Sequence, residues 1–108
     1  MLENMVFTGL RRVTREIYYY KTKQGYEVDF QAIRPDGEKM LVQACELLSD
    51  ATAKAREVRA LTAAMEETNV RHGWILTDSY QEDIKVPAGM IHYVPTPYFL
   101  MERELSSL

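Results

Sequence analysis

The sequence predicts an α/β domain in which a mixed central sheet is flanked by helices. Three observations carry this expectation. Residues 16–45 hold three strand-like runs separated by short turn signals, an antiparallel meander. An amphipathic helical stretch follows up to about Thr68, and residues 73–78 are short and apolar, as a strand buried on both faces should be. The order is α-β-β-β-α-β, with two further short strands and a C-terminal helix. At 108 residues the chain is one domain, and 46% hydrophobic with 27% charged residues is the composition of a folding sequence.

Leu2, Met5, Val6, Leu10 and Val13 recur at helical spacing, so residues 2–13 are expected to form an amphipathic helix. Glu3 sits in its opening turn, where the helix dipole favours an acid. Ile17-Tyr18-Tyr19-Tyr20 has the β-branched and aromatic bias of a strand, and its tyrosines are expected to pack in the core or on the sheet face. After the Gln24-Gly25 turn, residues 27–33 alternate strictly. Pro35-Asp36-Gly37 is a strong turn, and residues 39–45 form the third strand. Ser49 or Asp50 caps the next helix, whose apolar face is Ala51, Ala55, Val58, Leu61, Thr62 and Met65, and Asn69 stops it. Residues 84–86 and 90–94 turn about Pro87-Ala88-Gly89, and Thr96-Pro97 starts a final helix to residue 105.

Thirteen basic against sixteen acidic residues give a net charge of -3, which argues against a protein that coats nucleic acid non-specifically. The charge is uneven: Arg11, Arg12, Arg15, Lys21 and Lys23 against Glu3 and Glu16 give the first 24 residues a balance of +3, either ordinary surface solvation or a functional basic edge. The single cysteine, Cys45, precludes an internal disulfide and fits a reducing, cytoplasmic setting. No apolar run approaches the roughly 20 residues that span a bilayer, and no signal peptide is recognisable, so no membrane partner is expected. Five unclustered glycines exclude a phosphate loop. His72, His92 and Cys45 do not make a zinc pattern, and the histidines are expected to be ordinary surface residues.

What invites chemistry is Asp29, mid-strand between Val28 and Phe30, and Gln43, a polar residue in an apolar strand. A hairpin centred on Asp36 sets 29 opposite 43 and brings both side chains to the sheet centre. Glu3 joins them if the first helix packs on that face. Two arrangements account for these residues. In one, carboxylates and an amide oxygen hold Mg²⁺, which activates water on a phosphodiester. In the other, Asp29 pairs with a basic side chain and Gln43 satisfies backbone groups.

The segments Leu2-Glu3-Asn4-Met5-Val6-Phe7, Glu16-Ile17-Tyr18-Tyr19-Tyr20-Lys21-Thr22-Lys23 and Glu27-Val28-Asp29-Phe30 resemble the C-terminal domain of unknown function of prokaryotic AAA-type ATPases. Leu41-Val42-Gln43-Ala44-Cys45, Leu48-Ser49-Asp50, the run from Lys54 to Leu61 and Ile75-Leu76-Thr77 extend the likeness over nearly the whole chain. Such domains look like PD-(D/E)XK nucleases, so the resemblance implies a restriction-endonuclease-like core. It also implies that residues 1–108 are the C-terminal part of a larger ATPase-type protein, begun at a truncation.

Carried over by position, the helix acid of that nuclease pattern falls on Glu3 and the second-strand aspartate on Asp29, the implied Mg²⁺ ligands. The third-strand tripeptide falls on Gln43-Ala44-Cys45, so one acid has become an amide and the lysine a thiol. Lys54 and Arg56 on the following helix are candidates to replace that lysine. Arg11, Arg12, Arg15, Lys21 and Lys23 are candidate nucleic-acid contacts if they line the cleft. The expected function is Mg²⁺-dependent nuclease chemistry at a degenerate site. The alternative is an inactive nucleic-acid-binding or protein-interaction module on the same fold. Its partners would be nucleic acid, an ATPase domain upstream or in trans, or a second copy meeting through exposed tyrosines, Trp74 and Tyr98.

Overall fold

The computed structural model describes residues 2–45 and 51–106, with side chains described for 4–45 and 51–101. Helix α1 (Leu2–Arg11) leads into β1 (Glu16–Lys21), β2 (Glu27–Ile33) and β3 (Lys39–Ala44). Helix α2 (Ala51–Thr68) then precedes β4 (His72–Thr77), β5 (Glu82–Val86), β6 (Gly89–Pro95) and α3 (Thr96–Ser106). The six strands form one mixed sheet in the order β1-β2-β3-β4-β6-β5. The meander β1-β2-β3 is antiparallel, β4 pairs parallel with β3 and β6, and β5 returns antiparallel on β6. The expected α/β class and mixed, helix-flanked sheet are what the chain adopts. No helix among the described residues is long and apolar enough to cross a membrane.

The sheet carries a core on each face. Val6, Leu10 and Val13 pack with Phe30, Ala32, Met40, Val42, Leu76 and Phe99, which joins α1 and α3 to one side. On the other side Ala60, Leu61, Ala64 and Met65 of α2 cover Val28, Leu41, Ile75, Ile91 and Tyr93. The buried stripe of α2 is therefore rotated from the expected face: Ala51 and Ala55 are exposed, and Ala60 and Ala64 are buried instead. The alanines let the helix approach closely, and a side chain at Gly73 of β4 would meet Met65 Sδ at 3.0 Å. Asn69 ends α2 in the left-handed region at φ 59°, as a stop residue there should. The caps expected at Ser49 and Asp50 lie outside the described residues.

Two apolar expectations fail at the surface. Met5 is 49% exposed although α1 buries Val6 and Leu10 beside it. Tyr18 and Tyr19, expected in the core or on the sheet face, are 50% and 59% exposed, so the core is not where they pack. The cause is local: β1 is an edge strand, and its register with β2 shifts between Tyr18 and Tyr20, so the alternation of faces is broken there.

Candidate functional site

The β2–β3 hairpin turns about Asp36 as expected, with Phe30 opposite Val42, Gln31 opposite Leu41 and Ile33 opposite Lys39. The same register would set Asp29 against Gln43, but the main-chain ladder ends at Phe30 and Val42. Val28 packs under α2 while Phe30 faces α1 and α3, so β2 rotates between them. Side chains then replace the missing ladder. Gln43 Oε1 accepts from the Asp29 N–H at 2.8 Å, and Gln43 Nε2 donates to the Glu27 carbonyl at 3.0 Å. Asp29 Oδ2 accepts from the Ala44 N–H at 2.9 Å. The two residues singled out for chemistry meet, and together they tie two diverging strands.

A cleft of about 440 Å³ opens beside this tie, lined by Gly25, Tyr26, Glu27, Asp29, Gln43, Ala44, Arg56, Glu57 and Ala60. Three carboxylates against one guanidinium make it acidic. Tyr19 lies at the Glu27 side, where hydrogen bonding to that carboxylate and partial desolvation push its pKa up to about 12. Glu57 is the residue that sequence reasoning missed. Burial raises its pKa and the charge of Asp29 adds to the rise, while hydrogen bonding with Cys45 and the charge of Arg56 oppose it. Among the described residues, Glu57 Oε1 and the hydroxyl of Tyr93 are buried without a hydrogen-bond partner. The helical signal for Glu57 is its phase with Ala60, Leu61 and Ala64 at i+3, i+4 and i+7.

A carboxyl held above its unfolded pKa stabilises the fold when both states are protonated. It loses that contribution as pH rises through the folded value. Glu57→Gln is therefore expected to stabilise the protein increasingly as pH rises above the ordinary Glu value and to have no such effect below it. Chemical denaturation across that range checks the slope, and an effect independent of pH would contradict it.

The other candidates are dispersed. Arg56 lines the cleft, but Lys54 Nζ sits over the rings of Tyr93 and Tyr80 at 5.1 and 5.4 Å. Arg11 reaches the Arg15 carbonyl at 3.1 Å and lies over Phe7, and Arg12 lines a groove with Leu100 between α1 and α3. Lys21 pairs in register with Glu27, and the Lys23 N–H donates to Glu67 Oε2 at 2.8 Å. None of Arg11, Arg12, Arg15, Lys21 and Lys23 lines the cleft. The side chain of Glu3 lies outside the described residues.

Of the residues that would hold the implied Mg²⁺, the structure describes the side chains of Asp29 and Gln43, and both are engaged by main chain. Both polar atoms of Gln43 are engaged by main chain, one Asp29 oxygen accepts an N–H, and no three His, Cys, Asp or Glu side chains among the described residues converge as a metal cage. A ligand set for a hard cation needs oxygens free to turn inward.

Compared with known proteins, the chain matches the family model of the domain of unknown function DUF4143 over residues 1–99. No curated protein and no solved structure matches it.

Proposed function

The chain belongs to the DUF4143 family of domains of unknown function, and from that premise we propose that it is a non-catalytic protein-interaction module on a PD-(D/E)XK nuclease-like fold. The observation that carries the reading is the tie between β2 and β3. Gln43 stands where the nuclease pattern has an acidic ligand, and its amide is spent on the Asp29 N–H and the Glu27 carbonyl. Cys45, where the pattern has its lysine, is a buried thiol and supplies no ammonium.

Electrostatics support the same reading. A cleft with Glu27, Asp29 and Glu57 against Arg56 repels phosphate and suits a basic side chain of a protein partner. The cations that would guide nucleic acid lie elsewhere. By the resemblance the partner is an ATPase domain, joined upstream or acting in trans in the cytoplasm.

A metal-dependent nuclease is the second reading, and one observation favours it: Glu57 brings another carboxylate into the cleft that Asp29 lines. Incubation with branched and single-stranded DNA and Mg²⁺ or Mn²⁺ separates the two. The module is expected to cleave no faster than its Asp29→Ala variant and to show no DNA affinity at low salt. Metal-dependent cleavage lost in Asp29→Ala and Glu57→Gln would overturn the proposal in favour of the nuclease. Salt-dependent DNA affinity that survives those substitutions would replace it with a nucleic-acid-binding module.

A further inference from the structure

Strand β5 ends the sheet, hydrogen-bonded to β6 on one side and, among the described residues, to no strand on the other. The helices pack over β2, β3, β4 and β6, which leaves β5 outermost. An edge strand presents a row of main-chain N–H and C=O groups that a further strand can pair with, and a lysine in mid-strand ordinarily deters it. In Glu82-Asp83-Ile84-Lys85-Val86 that lysine is matched by an acid two positions earlier, on the same face. Asp83 and Lys85 lie opposite His92 and Met90 of β6, whereas Ile84 and Val86 are half-buried against the α2-side core. Asp83 Oδ1 is 2.8 Å from His92 Nδ1, which holds the carboxylate in place while its side chain stays 62% exposed.

We propose that β5 is a self-association edge, pairing antiparallel with β5 of a second copy about a two-fold axis at Ile84. Residues directly opposite in such a pair share a face, so each register sets one residue against itself. Registers centred on Glu82, Asp83 or Lys85 bring like charges together. One centred on Val86 draws Pro87 into the ladder, where proline breaks pairing. Centred on Ile84, Asp83 faces the partner's Lys85 and Lys85 faces the partner's Asp83, giving two ion pairs on one face. The two Ile84 side chains meet on the other face and continue the α2-side core across the axis. The opposite edge, β1, offers no such match, because its register is broken between Tyr18 and Tyr20.

Strands β4 and β6 separate this edge from β3 and the cleft, so the association is independent of what the cleft binds. The axis stands perpendicular to the sheet, and both α2 faces therefore look the same way. The dimer would present two acidic clefts to one partner surface, which raises avidity without any new contact.

Sedimentation velocity of the full chain over a range of concentrations tests this, with circular dichroism as the control for folding. Five residues a side make a small interface, so a weak, concentration-dependent dimer is expected. Asp83→Lys and Lys85→Asp each turn both ion pairs into like-charge pairs, and each should weaken the dimer roughly 10-fold or more. An equimolar mixture of the two variants sets opposite charges face to face again and should form a heterodimer. A monomer at every concentration overturns the proposal. A dimer that both variants keep, or that their mixture fails to restore, overturns it too.

Discussion

Replacing Gln43 by leucine is expected to lower the unfolding free energy by about 2–4 kcal/mol, although the residue is only 4% exposed and leucine is close to it in size. Little volume is lost, so a cavity is not the cause. The cost lies in the Asp29 N–H and the Glu27 carbonyl, which lose the amide that serves both. An unsatisfied main-chain group is expensive where no water replaces the partner. Urea unfolding measures the loss, and a change below about 1 kcal/mol would mean that water reaches the gap between the strands.

Gln43→Glu tests the same tie with charge. The introduced carboxyl still accepts from Asp29 but cannot donate to Glu27 when ionised, and it faces Asp29 and Glu57 across the cleft. Its folded pKa should rise above the unfolded value of about 4.3. The variant is thus expected to be least destabilised below that value and progressively worse as pH climbs through the folded pKa. An equal loss at acid and alkaline pH would contradict the placement of the side chain.

Gly89→Ala is expected to be the most damaging single-methyl addition, costing about 3 kcal/mol or more and in the limit preventing folding. Gly89 opens β6 at φ 153°, and a Cβ there would lie 2.0 Å from the Arg71 carbonyl oxygen. That carbonyl accepts the Met90 N–H at 2.9 Å, and this bond starts the parallel pairing of β6 with β4. Backbone on both sides leaves no flexible side chain to yield, so two strands must part. Gly25 and Gly37 supply the contrast, with φ 91° and 90° and no atom within 4 Å of where a methyl would stand. Alanine at either should cost only the conformational penalty, about 1 kcal/mol. Thermal melts of the three variants give the ranking, and near-equal losses would show that φ rather than the Arg71 contact dominates.

The hairpin register was legible because Pro35-Asp36-Gly37 leaves one centre of pairing, and Phe30 does face Val42 about that centre. The termination of the ladder one pair short was not. Sequence shows that Gln43 is polar in apolar surroundings, but both the ion-ligand and the backbone-satisfying arrangements meet that requirement. Choosing between them needs the positions of the Asp29 N–H and the Glu27 carbonyl. Glu57 was hidden for another reason. Glu57 falls outside the expected apolar stripe of Ala55, Val58 and Leu61, and the rotation of α2 toward Ala60 and Ala64 is set by the sheet beneath it. The tyrosine run misled because alternation is assumed to persist through a strand, and the shift at Tyr18–Tyr20 breaks it. His72 and His92, 20 positions apart, are brought together only by the parallel β4–β6 register.

The proposed function rests on Asp29 and Gln43 serving as structural ties and not as cation ligands. A Mg²⁺ titration followed by NMR at the Asp29 amide and the Gln43 side-chain amide probes it at the atoms concerned. Up to about 10 mM, beyond the range of the weaker oxygen-ligand sites, neither signal is expected to move saturably, and the Gln43 amide protons should stay slow to exchange. A saturable shift at both, abolished in Asp29→Ala, would show instead that the tie opens to receive an ion.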